Sequence, residues 1–542
     1  MTYDNGHKGM AEVHRLAAEI DFPETLGAFV RERANTLGDQ VIGDYFDDGE
    51  KLTYRGLDQS ADRLAGSLLG LGVRKGTHVS VMLPNVKEFV ISWIALGRLG
   101  AVMVPTNIAY TGAELHFVLA DSDAQFMIID SSFLERLDNM PEWPTLLARE
   151  RIIVRGEAPA GHLDWHELHD NGPEDFKAPS RVTSTDLVNL QYTSGTTGFP
   201  KGCMLTHEYW VLLAHCAALQ RGRPFQIKQT LIWAPFFYMD GQWQFLMTMC
   251  LGGTAHIASR MSLTNFFDWL IDFEIEYCAF PEPALARFPP SEKDKLIKLK
   301  YVNAFGWRGD ANIEIEKRFN LVARNTFGMT EIGSGISLPA EATHMAGSEA
   351  CGLPSPFREV RIVDEEGNDV PQGEPGELWV SGPAILWGYY KRPEANAESF
   401  RGKWFRTGDI FQQDENGYYY IVGRIKDMIK RAGENISARE VEAVLRGMDE
   451  IEEAAALAVP DPMRREEVKV FLMLREGVTA EDCPPEKIIA HCGQHLADFK
   501  IPRYYAYVDE FPRTPTGKIA KNKMRDGDLR ENSFDRADNL WR

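Results

Sequence analysis

From about Gly56 onward, apolar and polar positions fall into two alternating rhythms. Leu57, Ala61, Leu64 and Leu68 recur at the spacing of one helical face, and the following "THVSVML" reads as a buried strand. The alternation repeats: "VKEFVISWIALGRLG" reads as helix, "AVMVPTN" as strand, "AELHFVLADS" as helix and "QFMIID" as strand. Strands separated by helices pair in parallel while the crossovers cover the sheet, so the pattern predicts βαβ units. Beyond Cys351 the texture changes, and "REVRIVDEEGNDVPQGEPGELWVSG" predicts two strands joined through a Gly- and Pro-rich turn region. After "VGRIKDMIKRAGENIS", Ser437 and Glu440 have the spacing of a capping box at the head of the helix "AREVEAVLRGM". Strand-like "AAALAVPD" and "EVKVFLML" follow, then helix-like "PEKIIAHCGQHLADF".

With 542 residues the chain is too long for one core. The expected fold class is α/β: a large N-terminal domain, residues 1–423, of parallel-sheet α/β subdomains plus a β-rich portion, then a small α+β C-terminal domain, residues 424–542. Charge narrows the partners. The net charge of −20, from 59 basic and 79 acidic residues, argues against nucleic-acid binding and requires any anionic substrate to be met by local positive charge. Seven cysteines with no CxxC pair fit a reducing compartment better than a disulfide framework or a zinc site. The start "MTYDNGHKGMAEVHR" lacks the apolar core of a signal peptide, and "FVISWIALGRLGAVMVP" is broken by Arg98 and two glycines. A cytoplasmic location without membrane insertion is expected.

The chemistry begins at "QYTSGTTGFPKGCMLTH", Gln191–His207. Small residues strung with hydroxyls form a loop whose N–H groups wrap an anion. A P-loop requires Gly-Lys-Ser/Thr at its end, whereas Lys201 here follows Phe199 and Pro200, so this is a phosphate cradle of another kind. Four further stretches accompany it: "FGMTE" (Phe327–Glu331), "WFRTGD" (Trp404–Asp409), "GRIKDMIKRAGEN" (Gly423–Asn435) and "PRTPTGKI" (Pro512–Ile519). As bare sequence, a glutamate after a turn, an aspartate after glycine and a lysine beside Lys521, Lys523 and Arg525 are ordinary surface features. In this order and company, over residues 50–525, they resemble the adenylate-forming superfamily of acyl-CoA synthetases, adenylation domains and firefly-type luciferases.

The resemblance implies a two-step reaction needing ATP, Mg²⁺ and coenzyme A. A carboxylate attacks the α-phosphorus of ATP to give an acyl-adenylate and pyrophosphate, and a thiol then displaces AMP. It implies that Thr193, Ser194, Gly195, Thr196, Thr197, Gly198 and Lys201 cradle the β- and γ-phosphates. Thr330 would touch the α-phosphate, Glu331 would hold Mg²⁺, and Asn325 and Phe327 would lie by the nucleotide. Asp409 would accept from the ribose hydroxyls, and Arg424 would donate to ribose or phosphate. Lys518, a mobile ammonium on a long stem, is the implied main catalytic residue, bridging carboxylate and α-phosphate as charge develops. The small domain would be mobile, turning about Lys426 between half-reactions to exchange Lys518 for the segment Ala432–Asn435, with Gly433 at the pantetheine passage.

Some positions depart from the family pattern. Phe327 stands where tyrosine is common, Ala432-Gly433 where Gly-Gly is frequent, and Tyr238 where "P-x-F-H" has histidine. Trp307 and Arg308 interrupt the family's usual "GGAP". The string "YMDGQW" resembles carnitine/crotonobetaine-CoA ligases, which implies a pocket of Tyr238, Asp240, Trp243 and Trp307 suited to an onium group. Against that stand a second carboxylate met by Arg308, and the plain alternative of core tryptophans with Asp240 capping a helix. The expected function is thus an AMP-forming acid–CoA ligase, monomeric or homodimeric, acting on a small-molecule carboxylic acid. The alternatives are transfer of the acyl group to a carrier protein and, in a different class, a non-ligase nucleotide-binding protein.

Overall fold

The structure is a computed structural model that describes residues 4–193, 200–222, 225–431, 434–513, 518–525 and 529–542. It divides into two compact units: Met1–Thr193, Pro200–Glu359 and Val380–Lys403 form the first, and Val360–Trp379 with Trp404–Arg542 fall in the second. The expected boundary at 423/424 lies inside the second unit.

Two seven-stranded sheets organise the first unit. One runs in the order Leu163–Asp164, Ile152–Arg155, Phe126–Asp130, His78–Met82, Val102–Pro105, Leu187–Thr193, Lys201–Thr206. All neighbours pair in parallel except the last two strands, which form an antiparallel hairpin. His78–Met82 and Phe126–Asp130 are buried at every position, as a sheet covered on both faces requires. The predicted helices are present at Tyr54–Gly70, Lys87–Leu99 and Gly112–Asp121. The last carries a complete capping box between Thr111 and Glu114.

The second sheet is parallel through Val322–Arg324, Tyr301–Asn303, Tyr277–Ala279, Gln229–Ile232, Thr254–Ile257 and Val41–Tyr45, and closes with the antiparallel strand Glu50–Thr53. Buried polar contacts fasten the two halves. The Asn85 amide donates to the carbonyls of Ala234 and Ala258 and accepts from the Phe236 N–H, while the Trp93 indole donates to Asn189 Oδ1 at 2.7 Å and packs edge-on against Trp210. A three-stranded antiparallel sheet, Thr326–Met329, Gly333–Ser337 and Leu353–Pro354, completes the part that matters for the site.

In the second unit, Trp404–Gln413 and Tyr419–Arg424 form an antiparallel hairpin. Further along, Ile451–Asp461 pairs with Arg465–Leu474, which also borders Tyr504–Tyr507. The helices Ala438–Arg446 and Pro485–His495 bury Val441, Leu445 and Ile488 against this sheet. Only the serine half of the predicted capping box forms. Ser437 Oγ accepts from the Glu440 N–H, but the Glu440 carboxylate is held by Lys500 Nζ at 2.6 and 2.9 Å, an ion pair outcompeting a neutral N–H donor. Among the described residues no helix is long and apolar enough to cross a membrane.

Candidate active site

The hairpin Leu187–Thr193/Lys201–Thr206 ends with Thr193 opposite Lys201. Ser194, Gly195, Thr196, Thr197 and Gly198 lie outside the described residues, as does Gly433. Lys201 Nζ sits 4.3 Å from the centroid of the Tyr389 ring. Among the described residues no carboxylate lies within ion-pair distance of it.

Thr330 and Glu331 occupy the turn between Thr326–Met329 and Gly333–Ser337. The turn is tight because Gly328 allows it: a Cβ there would come within 2.5 Å of the Gly333 carbonyl oxygen, and Gly333 itself has φ of +65°. The Tyr209 hydroxyl donates to the Thr330 carbonyl at 2.9 Å. Glu331 is only 7% exposed, its Oε1 accepts from the Tyr389 hydroxyl at 2.8 Å, and its carbonyl accepts from the Leu386 N–H. A buried, oriented carboxylate is the hard oxygen donor Mg²⁺ prefers. Among the described residues no group of three His, Cys, Asp or Glu side chains could hold a metal ion.

Asn325 accepts from the N–H groups of Gly306 and Thr326 and donates to the Glu349 carbonyl, pinning the segment that carries Phe305–Ala311. Phe327 is buried, opposite Ile336. The implied acyl-pocket residues divide their partners. The Tyr238 hydroxyl accepts from Asn107 Nδ2 at 2.9 Å, and burial raises its pKa. Trp243 donates its indole N–H to Asp240 Oδ1 at 3.1 Å and already carries a cation on its face, the Arg221 guanidinium 4.9 Å away. Trp307, 7% exposed, belongs to the core beneath the second sheet and meets Phe280 edge-on. Arg308 Nε lies 3.4 Å from Glu282.

In the second unit, Asp409 and Arg424 face each other across the hairpin, and Arg424 Nε donates to Asp409 Oδ1 at 2.8 Å. Asp409 is 1% exposed, and its Oδ2 is buried without a hydrogen-bond partner. Burial raises its pKa, against the opposing pull of Arg424, Lys518 and Arg439. Lys518 is thus electrostatically coupled to Asp409. Gly423 is needed where it stands, since a Cβ would meet Ser437 Oγ at 2.8 Å, the same oxygen that caps the next helix and donates to the Val422 carbonyl. Lys426 lies in the short 3-10 turn Ile425–Asp427, and its side chain is outside what is described.

Sequence reasoning missed Tyr389. Its segment, "WGYYK", carries none of the glycine-hydroxyl or acidic signals by which the other sites announce themselves. The only cue was the aromatic pair set between a glycine and the turn residues that follow.

Residues 30–390 match the family model described as AMP-binding enzyme, and residues 440–518 match that of the AMP-binding enzyme C-terminal domain. A feruloyl-CoA synthase from Amycolatopsis sp is 33% identical over 487 residues, covering 88% of this chain and 94% of that protein. A crotonobetaine/carnitine–CoA ligase from Proteus mirabilis (strain HI4320) is 28% identical over 496 residues, covering 88% and 93%. The solved structure of o-succinylbenzoate coenzyme A synthetase from Bacillus subtilis, in complex with ATP and magnesium ion, superposes with a TM-score of 0.79 at 25% identity over 92% of this chain and 99% of that one. The chain belongs to the AMP-binding enzyme family. Within it, the chain is an adenylate-forming acyl-CoA synthetase, as the motifs implied.

Proposed function

We propose that the chain activates an aryl carboxylic acid with ATP and passes the acyl group to coenzyme A, with Glu331 and Lys201 serving the phosphates and Asp409, Arg424 and Lys518 serving ribose and α-phosphate. A carboxylate resists attack by a thiol because oxide is a very poor leaving group. Joining one of its oxygens to the α-phosphorus, with loss of pyrophosphate, makes AMP the leaving group instead. The enzyme must therefore align the carboxylate with the α-phosphate and offset negative charge as it gathers there.

The observation that carries the reading is Asp409. A buried carboxylate with one oxygen paired and the other unpartnered carries a desolvation cost. It becomes useful when a ligand brings hydroxyl donors, as a ribose does. Lys201 rests on an aromatic face, available to phosphate. Glu331 would hold magnesium, which when bound supplies charge neutralisation on the nucleotide's phosphates. Lys518 would bridge carboxylate and α-phosphate in the first half-reaction. In this reading residues 424–542 move as the small domain, hinged at Lys426, before the thiol attacks.

The choice of an aryl acid over an onium acid rests on Trp243 and Asp240. The tryptophan face carries Arg221, and the aspartate accepts from the same tryptophan, so the chain itself uses the groups an onium ligand would need. Aromatic Tyr238 remains to border an uncharged ring. The feruloyl-CoA synthase is also more similar to this chain than the crotonobetaine/carnitine ligase is. All seven cysteines are free thiols and six are buried, which supports a cytoplasmic location.

The test is pyrophosphate release with ATP and Mg²⁺ across aryl, fatty, betaine-type, dicarboxylic and amino acids, with and without coenzyme A. Aryl acids should turn over fastest, with AMP and acyl-CoA as products. Preference for a betaine-type acid overturns the substrate class. Turnover indifferent to coenzyme A overturns the thiol and points to a carrier protein.

A further inference from the structure

The segment Leu386–Tyr390 touches both parts of the phosphate site. Along one side it adds to the hairpin that ends at Lys201. The Tyr390 N–H donates to the Gly202 carbonyl, the Met204 N–H to Gly388, and the Trp387 N–H to Met204, with Cys203 and Tyr389 bridged in antiparallel fashion. At its start, the Leu386 N–H donates to the carbonyl of Glu331 at 2.8 Å. Tyr389 repeats this double attachment with its side chain, hydroxyl to Glu331 and ring beneath Lys201.

Tyr389 is itself held fixed. Asn396 accepts from the Tyr389 N–H at 2.7 Å and donates to its carbonyl at 2.9 Å. Gly388, at φ +136°, leaves room for this amide, since a Cβ there would approach Asn396 Oδ1 to 3.0 Å. With the backbone pinned by Asn396, the side chain leaves from a fixed point, and its hydroxyl and ring contacts set the geometry of what it touches.

We propose that Tyr389 is a positioning residue for the first half-reaction, setting the orientation of Glu331 through its hydroxyl and the seat of Lys201 through its ring. The inference rests on the metal and phosphate roles given above to Glu331 and Lys201. An ammonium held on a π face keeps its full charge for phosphate, which a carboxylate partner would cancel. A carboxylate whose one oxygen is fixed by a neutral hydroxyl keeps its charge for a metal. Outer partners of metal ligands typically contribute about 10–100-fold in metal affinity or activity.

The experiment compares Tyr389→Phe, Glu331→Gln, Lys201→Ala and the double variant Glu331→Gln/Tyr389→Phe in the full chain. Two binding readouts are used: the ATP-induced rise in Tm across a Mg²⁺ titration, and ATP affinity without metal. Tyr389→Phe should raise the Mg²⁺ concentration giving half the Tm rise by about 10–100-fold. Metal-free ATP affinity should stay unchanged, because the ring under Lys201 remains. In the Glu331→Gln background the same change should add nothing. If Glu331→Gln leaves the Mg²⁺ titration unmoved, the metal reading of Glu331 falls. If Glu331→Gln shifts it and Tyr389→Phe does not, the positioning role falls alone. Should Tyr389→Phe fold poorly, Asn396→Ala, which loosens the tyrosine without removing it, must shift the Mg²⁺ titration in the same direction, and no shift overturns the proposal.

Discussion

Replacing Asp409 with asparagine keeps the shape of the side chain and removes its charge, and the reading above gives stability and binding opposite responses. In the protein without nucleotide, burial is the largest influence on Asp409 and raises its pKa above the ordinary 3.8 despite three cations nearby. A carboxyl whose folded pKa is raised stabilises the fold fully below its unfolded pKa and loses that contribution as pH rises through the folded value. At neutral pH the ionised group is a net cost. Asp409→Asn removes that cost, and Arg424, about half exposed, is not left as a buried charge. The Tm without ligand should therefore hold or rise. Binding goes the other way. A hydrogen bond to a charged acceptor contributes about 1.5–3 kcal/mol, and at 1.4 kcal/mol per tenfold the loss of one to Oδ2 weakens ATP by roughly 10–150-fold. Titrating ATP by calorimetry at neutral pH, with Tm measured on the same preparations, reads both. In the wild type, affinity should also decline as pH drops through the raised pKa, since protonation removes the acceptor. A variant that loses ligand-free stability while keeping ATP affinity would make the Asp409–Arg424 pair a structural tie and refute the assignment.

Lys518→Ala should slow adenylate formation by about 10²–10³-fold and leave thioester formation from supplied acyl-adenylate intact; equal losses in the two half-reactions reject its role. Gly328→Ala places a Cβ 2.5 Å from the Gly333 carbonyl, which is backbone and cannot swing aside. It should cost about 1–3 kcal/mol by denaturant unfolding and displace the turn bearing Glu331, whereas wild-type stability would mean the turn relaxes freely. Burial raises the pKa of the Cys216 thiol to about 12, that of Cys492 to about 11, and that of Cys203 as well. Native protein at pH 8 should thus react slowly with a thiol reagent and yield seven thiols only on unfolding; rapid native labelling of more than one group contradicts the buried arrangement.

The parallel strands were legible because burial on both faces writes an unbroken apolar run, as at Val102–Pro105, and the intervening helices carry a periodic face. Strand order was not. Val41–Tyr45 pairs with Thr254–Ile257, a partner more than two hundred residues away, and no local rhythm encodes that. Glycine at 328 and 423 is where packing forces composition, since a neighbouring atom fills the space a Cβ would need, and the charged residues at 331, 409, 424 and 518 carry the roles proposed above. Trp307 shows the limit of that logic, because an aromatic that fills a core and one that lines a pocket look alike until packing separates them. Ser437 and Glu440 show another, since a capping box competes with any lysine the fold brings near, here Lys500. Tyr389 escaped because its value comes from two partners distant in sequence.

The charge of the whole chain makes the way its local cations are held informative. A protein of net charge −20 repels ATP at long range, so the cations that receive it must not be spent on its own carboxylates. Lys201, the proposed phosphate contact, rests on Tyr389 instead of an acid. The second unit uses a different solution, in which one buried carboxylate, Asp409, lies in the field of Arg424, Lys518 and Arg439. Arg424 donates to one oxygen of that carboxylate, and the other oxygen is left without a hydrogen-bond partner. Adding a carboxylate beside Lys201, as in Tyr389→Glu, would cancel the first device without touching the second. ATP affinity without metal should then fall at least as far as in Lys201→Ala, and the loss should shrink with rising salt, since exposed charge interactions are screened within about 8 Å at physiological ionic strength. An affinity independent of that carboxylate would show that Lys201 contributes little to phosphate binding.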